Sequence, residues 1–414
     1  MGVFMQNAIS PLLLIVITRI NGIHDSGIFS FAFSVALVFW AFSMWGGRTY
    51  QVSDVNREFS HHSYVVLRFA LAIIVILGAY IFVNVNHYDS EKSNIIISLV
   101  VFKIVESIAD AIYGVFQVHN RLQNVGKSLT YKAVAGFCLF VTIDLLTHNI
   151  LLSCLGVAAA NVVVVILYDL HIVNRLSSTS IIPKDFKQTT KSALHIMKRT
   201  WPILGVMFLS MFSLNIPRYF IDVYHANEIG YFGIIAMPIT LIVLLMWFIL
   251  QPNLVNLSTL YEERKLRVFN SNIKKIIAIT VVIGIITLAS TSIIGVPLLH
   301  WVFGVDFSHH WLPLMVVVTG GVVNAVVTVF IYVLIIMRCL KSQFYILLTT
   351  NTVLAFISPF IISQYSLLGG VILFVTINIL QLLLLGGLYE ITLKRARNTI
   401  NKPSLPHRST KASG

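Results

Sequence analysis

Three observations predict an all-α polytopic membrane protein, with about twelve transmembrane helices in two six-helix lobes related by a parallel pseudo-repeat. The first is composition: the 414 residues are 57% hydrophobic and 11% charged, with a mean hydropathy of +0.86, where a soluble domain carries about 25% charged residues. The second is that apolar runs of about 20 residues, the length that crosses a hydrocarbon core, recur along almost the whole chain. The third is a turn pattern in the first half that returns in the second.

The elements follow in order. The first span, 3–18, ends in IVITRINGIHDSGIFSF, with Arg19 and then Gly27 to Phe29 opening the next helix. The second, 28–46, ends in WGGRTYQVSD, which brings Arg48 to the basic mouth of the bundle. The third is 63–85 and the fourth 94–118. In the fourth, FKIVESIADAIYGVFQVHNR puts Lys103, Glu106, Asp110, Tyr113 and Gln117 within an arc of roughly 80° on one helix face. A central charge in a bilayer costs roughly 2.5–3.5 kcal/mol, so this stripe faces protein or water. Two readings stand: Lys103 and Glu106 neutralise each other as an i,i+3 pair that glues helices, or the stripe walls a polar cavity. If Glu106 and Asp110 share the single cation Lys103, one of them can titrate and couple transport to protons. If not, the stripe is a sugar-binding wall.

Spans 129–147 and 150–171 complete the first lobe, 1–171, with Asp144 and His148 at an interface. Residues 172–200 form a basic linker in which Lys187, Lys191, His195 and Lys198 recur on one face and Phe186, Leu194 and Met197 on another, the pattern of an amphipathic helix on the inner leaflet. The second lobe, 201–391, holds spans 201–221, 230–252, 273–299, 311–336, 342–363 and 367–391. Its first span ends in LNIPRYFIDVYHANEIGYFGI, where Arg218 and then Gly230 to Phe232 repeat the Arg19 and Gly27 to Phe29 pattern. An even number of helices per lobe makes the repeats parallel, with the substrate path between them. Residues 392–414 are a basic tail. Prolines in the spans, among them Pro11, Pro217, Pro238 and Pro359, supply kinks.

With residues near a span end assigned to the adjoining loop, Arg19, Lys92 and Arg218 of the 29 Lys and Arg belong to loops after odd-numbered spans and Lys103 lies deep within a helix; the rest, Arg68 and Lys132 among them, are read as loop cations after even-numbered spans or lie in the tail. Cytoplasmic loops retain basic residues, so both termini are expected in the cytoplasm. The net charge of +13 is then a topology and anionic-lipid signal, not a nucleic-acid one. Cys138, Cys154 and Cys339 have no paired spacing, and the pairs His61 with His62 and His309 with His310 lack further ligands, so no disulfide framework and no metal site is expected. The Gly-Lys-Ser of NVGKSL has Arg121 where a phosphate loop needs Gly and no preceding strand, which excludes it as a nucleotide motif. No catalytic residue, enzymatic activity or cofactor is expected.

Three passages carry a resemblance. ITRINGIHDSGIFSFAFSVA (17–36), KIVESIADAIYGVFQVHNRL (103–122) and NIPRYFIDVYHANEIGYFGI (215–234) resemble the polysaccharide transporter family, the Wzx-type lipid-linked oligosaccharide flippases of the multidrug/oligosaccharidyl-lipid/polysaccharide exporter superfamily. The family begins with a longer, often basic leader; here Met1 lies almost in the first span, as a truncated start would leave it. The resemblance implies a multi-pass protein of a bacterial plasma membrane. It would turn short glycans on undecaprenyl pyrophosphate from the inner to the outer leaflet for surface polysaccharide synthesis, beside polymerase and chain-length partners and with proton or sodium coupling. On that reading Arg19, Arg48 and Arg218 are the pyrophosphate candidates, because a guanidinium bonds two oxygens at once, and the fourth-helix stripe is the glycan candidate. The alternatives are a membrane-embedded polysaccharide polymerase or ligase, disfavoured by short outward loops, and a multidrug antiporter of the same superfamily.

Overall fold

The computed structural model describes residues 2–45, 47–53, 59–176 and 186–401, and every regular element among them is a helix. The expected loop cations Arg57 and Lys184 and tail residues 402–414 lie outside the described residues. The first half comprises α1 (Gly2–Ile20), α2 (Ile23–Ser43), the short α3 (Arg48–Ser53), α4 (His61–Val85), α5 (Ser90–Val118), α6 (Leu122–Thr147) and α7 (Ile150–Val164). A π-helical turn, Val165–Leu170, carries α7 on into α8 (His171–Leu176). The second half comprises α9 (Phe186–Tyr224), α10 (Ile229–Ile235), α11 (Met237–Glu262), α12 (Leu266–Phe303), α13 (Trp311–Ile336) and α14 (Leu340–Asn401). Ser366, at φ 50 and ψ −131, breaks α14 in two. Taking α7 with α8 and α10 with α11 as single crossings, the described residues cross twelve times, as expected.

By length and composition, nine helices among the described residues can span a membrane. The difference from twelve has physical causes: α1 is short, α5 carries the charged stripe, and α14 counts once although it bends back at Ser366. The lipid-facing surface is explicit. Ile73, Ile74, Leu77, Tyr80 and Ile81 of α4 and Ile285, Ile286, Ile293 and Ile294 of α12 are exposed, an apolar belt larger than a soluble surface tolerates. The helices reverse through single left-handed residues, among them Gly22, His87, Asn120, His148, Arg264 and Arg338, which close a helix C-terminus and turn the chain within two or three positions.

α2 is the central element. It packs on α1, α4 and α5 of its own half and on α9 and α10 of the other, within one apolar core that runs through both halves. Here the two copies of the sequence repeat meet. A Cβ on Gly27 would lie 2.9 Å from the Gly230 nitrogen, and one on Gly230 would lie 2.4 Å from the Ile23 carbonyl oxygen, so the backbones of α2 and α10 touch where only glycine fits.

Two expectations are corrected. Residues 186–200 are not a separate surface helix: α9 runs unbroken from Phe186 through Pro202 and Pro217 to Tyr224, because extending a formed helix needs no new nucleus. Its buried side is Thr189, Ala193, Ile196 and Thr200, while Leu194 is 53% exposed. Ala193 and Ile196 pack with Phe59, Tyr64, Leu67 and Leu71 in and before α4. Arg68 and Lys132, read as loop cations, are instead buried inside α4 and α6, where carboxylates from other helices compensate them.

Candidate functional site

A cavity of about 290 Å³ lies between the two halves. Gln6, Asn7 and Ser10 of α1, Phe29, Ser30 and Phe33 of α2, and Lys103 of α5 line one wall. Arg218 of α9, Gly233, Ala236 and Met237, and Thr240 and Trp247 of α11 line the other. The second wall contains a break: the eighth crossing is interrupted at Ala236, and Pro238 opens α11 in its first turn. Irregular backbone at membrane depth is tolerated where it borders a cavity, and the cavity borders this break.

Two cations face the cavity, with different surroundings. Lys103 Nζ lies 2.8 Å from Glu106 Oε2 and 4.9 Å from the centroid of Phe33. Gln6 Nε2 donates to Glu106 Oε1, so α1 and α5 together hold that carboxylate against the ammonium. Arg218 makes no ion pair or hydrogen bond among the described residues. Its guanidinium carbon sits 5.6 Å from the centroid of Phe232, and its Nε is buried without a partner. Leaving a buried charged donor unsatisfied is expensive. The arrangement therefore favours an anion that accepts from the guanidinium, and the polar groups of α1 can serve hydroxyls beside it.

The rest of the stripe turns away from the cavity. Asp110 lies 3.6 Å from Arg48 Nε and 3.5 Å from Arg68 Nη2, and Arg68 is anchored by donating to the Trp45 carbonyl at 2.9 Å. Of the two readings left open for this pair, the structure has Lys103 on Glu106 alone, while Asp110 meets Arg48 and Arg68, because α3 and α4 bring arginines that the spacing within α5 cannot reveal. Tyr113 is buried, 2.8 Å from Ser128 Oγ, and accepts from Lys132 Nζ at 2.8 Å; Lys132 also binds Asp169 Oδ2 at 2.7 Å. Gln117, near the end of α5, is half-buried. Of the three pyrophosphate candidates, only Arg218 lines the cavity. Arg48 is engaged with Asp110, and Arg19 donates to the carbonyls of Trp301 and Val302 at the end of α12.

Sequence reasoning missed Gln6, Asn7, Ser10 and Thr240, whose uncharged side chains stand out little in apolar runs. It also missed the Lys132–Asp169 pair, which had a signal: a lysine and an aspartate inside expected spans, each needing a partner.

Cavity, helix break and two packed halves define a multi-pass helical fold, and comparison with solved structures gives the same fold. The chain superposes on an inward-facing multidrug resistance transporter of the MATE family of the MOP superfamily with a TM-score of 0.71, at 12% identity over 95% of this chain and 96% of that one. The lipid II flippase MurJ in an inward closed conformation gives 0.70, at 13% identity over 96% and 90%. An outward-facing MATE transporter gives 0.59, at 13% identity over 96% and 95%. The chain therefore has the two-lobe, twelve-helix fold of these solved structures. Among curated proteins, the chain is 25% identical over 397 residues to the capsular polysaccharide biosynthesis protein CapF of Staphylococcus aureus, covering 93% of this chain and 96% of that one. No family model matches the sequence. The chain thus resembles, over nearly its whole length, a protein of capsular polysaccharide biosynthesis, in keeping with the expected resemblance.

Proposed function

We propose that this protein is a flippase that carries oligosaccharide repeat units linked to undecaprenyl pyrophosphate from the inner to the outer leaflet of a bacterial plasma membrane, by alternating access of its two lobes. The observation that carries the reading is Arg218, a cation in the cavity between the halves with no acceptor among the described residues. A pyrophosphate supplies paired oxygens for that guanidinium, Lys103 adds a second positive edge, and Gln6, Asn7, Ser10 and Thr240 supply a polar wall for sugars. The polyprenyl tail stays in lipid. The relation to a capsular polysaccharide biosynthesis protein supports the glycan, and the fold shared with a lipid II flippase supports a lipid-linked substrate.

The lobes are taken as residues 1–171 and 201–391, with the α9 extension between them and both termini cytoplasmic. The polymerase or ligase alternative finds no support in a fold shared with transporters. The multidrug alternative shares the fold but leaves Arg218 without a purpose. The test is a cell whose surface glycan depends on this chain. Arg218→Ala should lower export by about 10- to 100-fold, the equivalent of one charge-assisted hydrogen bond of roughly 1.5–3 kcal/mol, while the lipid-linked glycan accumulates on the inner leaflet. Arg218→Lys should retain part of the activity. Unchanged export by a membrane-inserted Arg218→Ala protein would remove the anion from the proposal.

A further inference from the structure

We propose that the end of the molecule away from the basic loops is held shut by a reciprocal latch, in which each half engages the C-terminal end of the other half's third crossing around one buried ion pair. In one direction Arg19, at the end of α1, donates from Nε to the Val302 carbonyl at 2.9 Å and from Nη2 to the Trp301 carbonyl. These belong to the last turn of α12, whose carbonyls have no acceptor role left inside the helix, and Gly304 at φ 72 turns the chain just beyond. In the other direction Tyr219, near the end of α9, donates to Asn86 Oδ1 at 2.5 Å, and Asn86 is the C-cap of α4. α1 and α9 open their halves, and α4 and α12 are the third crossings, so the internal repeat relates the two contacts.

Between them Lys92 Nζ lies 2.6 Å from Asp222 Oδ1, tying α5 to α9, with the side chains 12% and 2% exposed. The ammonium stands 4.6 Å from the centroid of Phe31 and 4.5 Å from that of Tyr88, and these aromatic faces exclude water from the pair. Removing one member would leave the other charge buried and unpaired. The three contacts join residues 282, 133 and 130 positions apart, each across the two halves.

Their chemistry suits a joint that opens. Polar groups at a rim can exchange partners for water at small net change, whereas an apolar seam would resist wetting. The glycine contact of Gly27 with Gly230 lets the two backbones approach until these side chains meet. The latch rests on the proposed function only in taking the two halves to move, and its test needs no substrate, so either can fail without the other.

The test is a distance measured by electron–electron resonance between nitroxides at His87→Cys and His309→Cys, on exposed connections of opposite halves, in nanodiscs of phosphatidylethanolamine and phosphatidylglycerol. Cys138, Cys154 and Cys339 are first replaced by Ala. The wild type should give one short population. Asp222→Asn, and separately Arg19→Gln with Tyr219→Phe, should raise the ratio of open to closed molecules by about tenfold, equivalent to about 1.4 kcal/mol. The exchanged pair Lys92→Asp with Asp222→Lys should restore the short distance. Tyr219→Phe alone, which deletes one hydroxyl, should give a smaller shift of the same sign and keeps the test open if the double variant does not fold. Wild-type distances in all variants, or an exchanged pair as open as Asp222→Asn, would overturn the latch.

Discussion

Arg19 and Arg218 occupy matching places in the repeat and have opposite surroundings: one is bonded to the carbonyl end of α12, the other stands in the cavity with no acceptor among the described residues. The sequence marks both as arginines at a turn, yet it cannot tell them apart, because what separates them is the other half of the molecule. The same holds for the stripe of α5. Its face was legible from spacing, but its partition into a cavity lysine, a doubly paired Asp110 and a buried Tyr113 depends on Gln6, Arg48, Arg68 and Lys132 from four other elements. Lys132 and Asp169 allow a prediction at this scale. Breaking a buried pair from one side costs about 3–5 kcal/mol, whereas replacing both members by apolar groups is close to neutral. Asp169→Leu should therefore lower the unfolding temperature of the detergent-solubilised protein clearly, and Lys132→Met with Asp169→Leu should recover most of the loss. A double variant as unstable as the single one would mean that the pair holds the π-helical turn by more than charge.

Among elements, the spans are the part that apolar run length predicts well, and the interruptions are the part it predicts poorly. Twelve runs gave twelve crossings because the bilayer imposes one length on every helix. The stop at Ala236, the π turn after Val164 and the continuity of α9 past residue 200 depend on neighbours instead. The proline at position 238 was visible in the sequence; that it opens a new helix beside a cavity was not. The contact between α2 and α10 gives the element-scale prediction. Gly230→Ala would set a methyl group 2.4 Å from the Ile23 carbonyl oxygen, backbone that cannot step aside without moving the helix, so a destabilisation of roughly 1–3 kcal/mol is expected by thermal unfolding. Gly126→Ala, at a helical glycine whose added Cβ meets nothing within 4 Å, is the control and should not lose stability.

At the scale of the molecule, the repeat seen as two short turn passages proves to be the seam of the fold, since Gly27 and Gly230 are in contact across it. Charge asymmetry predicts its orientation. A single cysteine at Lys187 should be silent to an impermeant thiol reagent in intact cells and one at Ala226 should react; the reverse pattern would invert the topology. The proposed substrate was not legible from periodicity or spacing, because a polar cavity between apolar helices serves many solutes, and the proposal rests on the likeness to a capsular polysaccharide biosynthesis protein and on Arg218, whose Nε is buried with no acceptor among the described residues. The most direct measurement is therefore translocation itself. Proteoliposomes loaded with undecaprenyl-pyrophosphate-linked oligosaccharide on the leaflet that corresponds to the cytoplasm would be sampled with a membrane-impermeant glycan-cleaving enzyme at the other face. The cleavable fraction should rise with time for wild type and stay near the level of protein-free vesicles for Arg218→Ala; a wild-type protein no faster than empty vesicles would overturn the flippase reading.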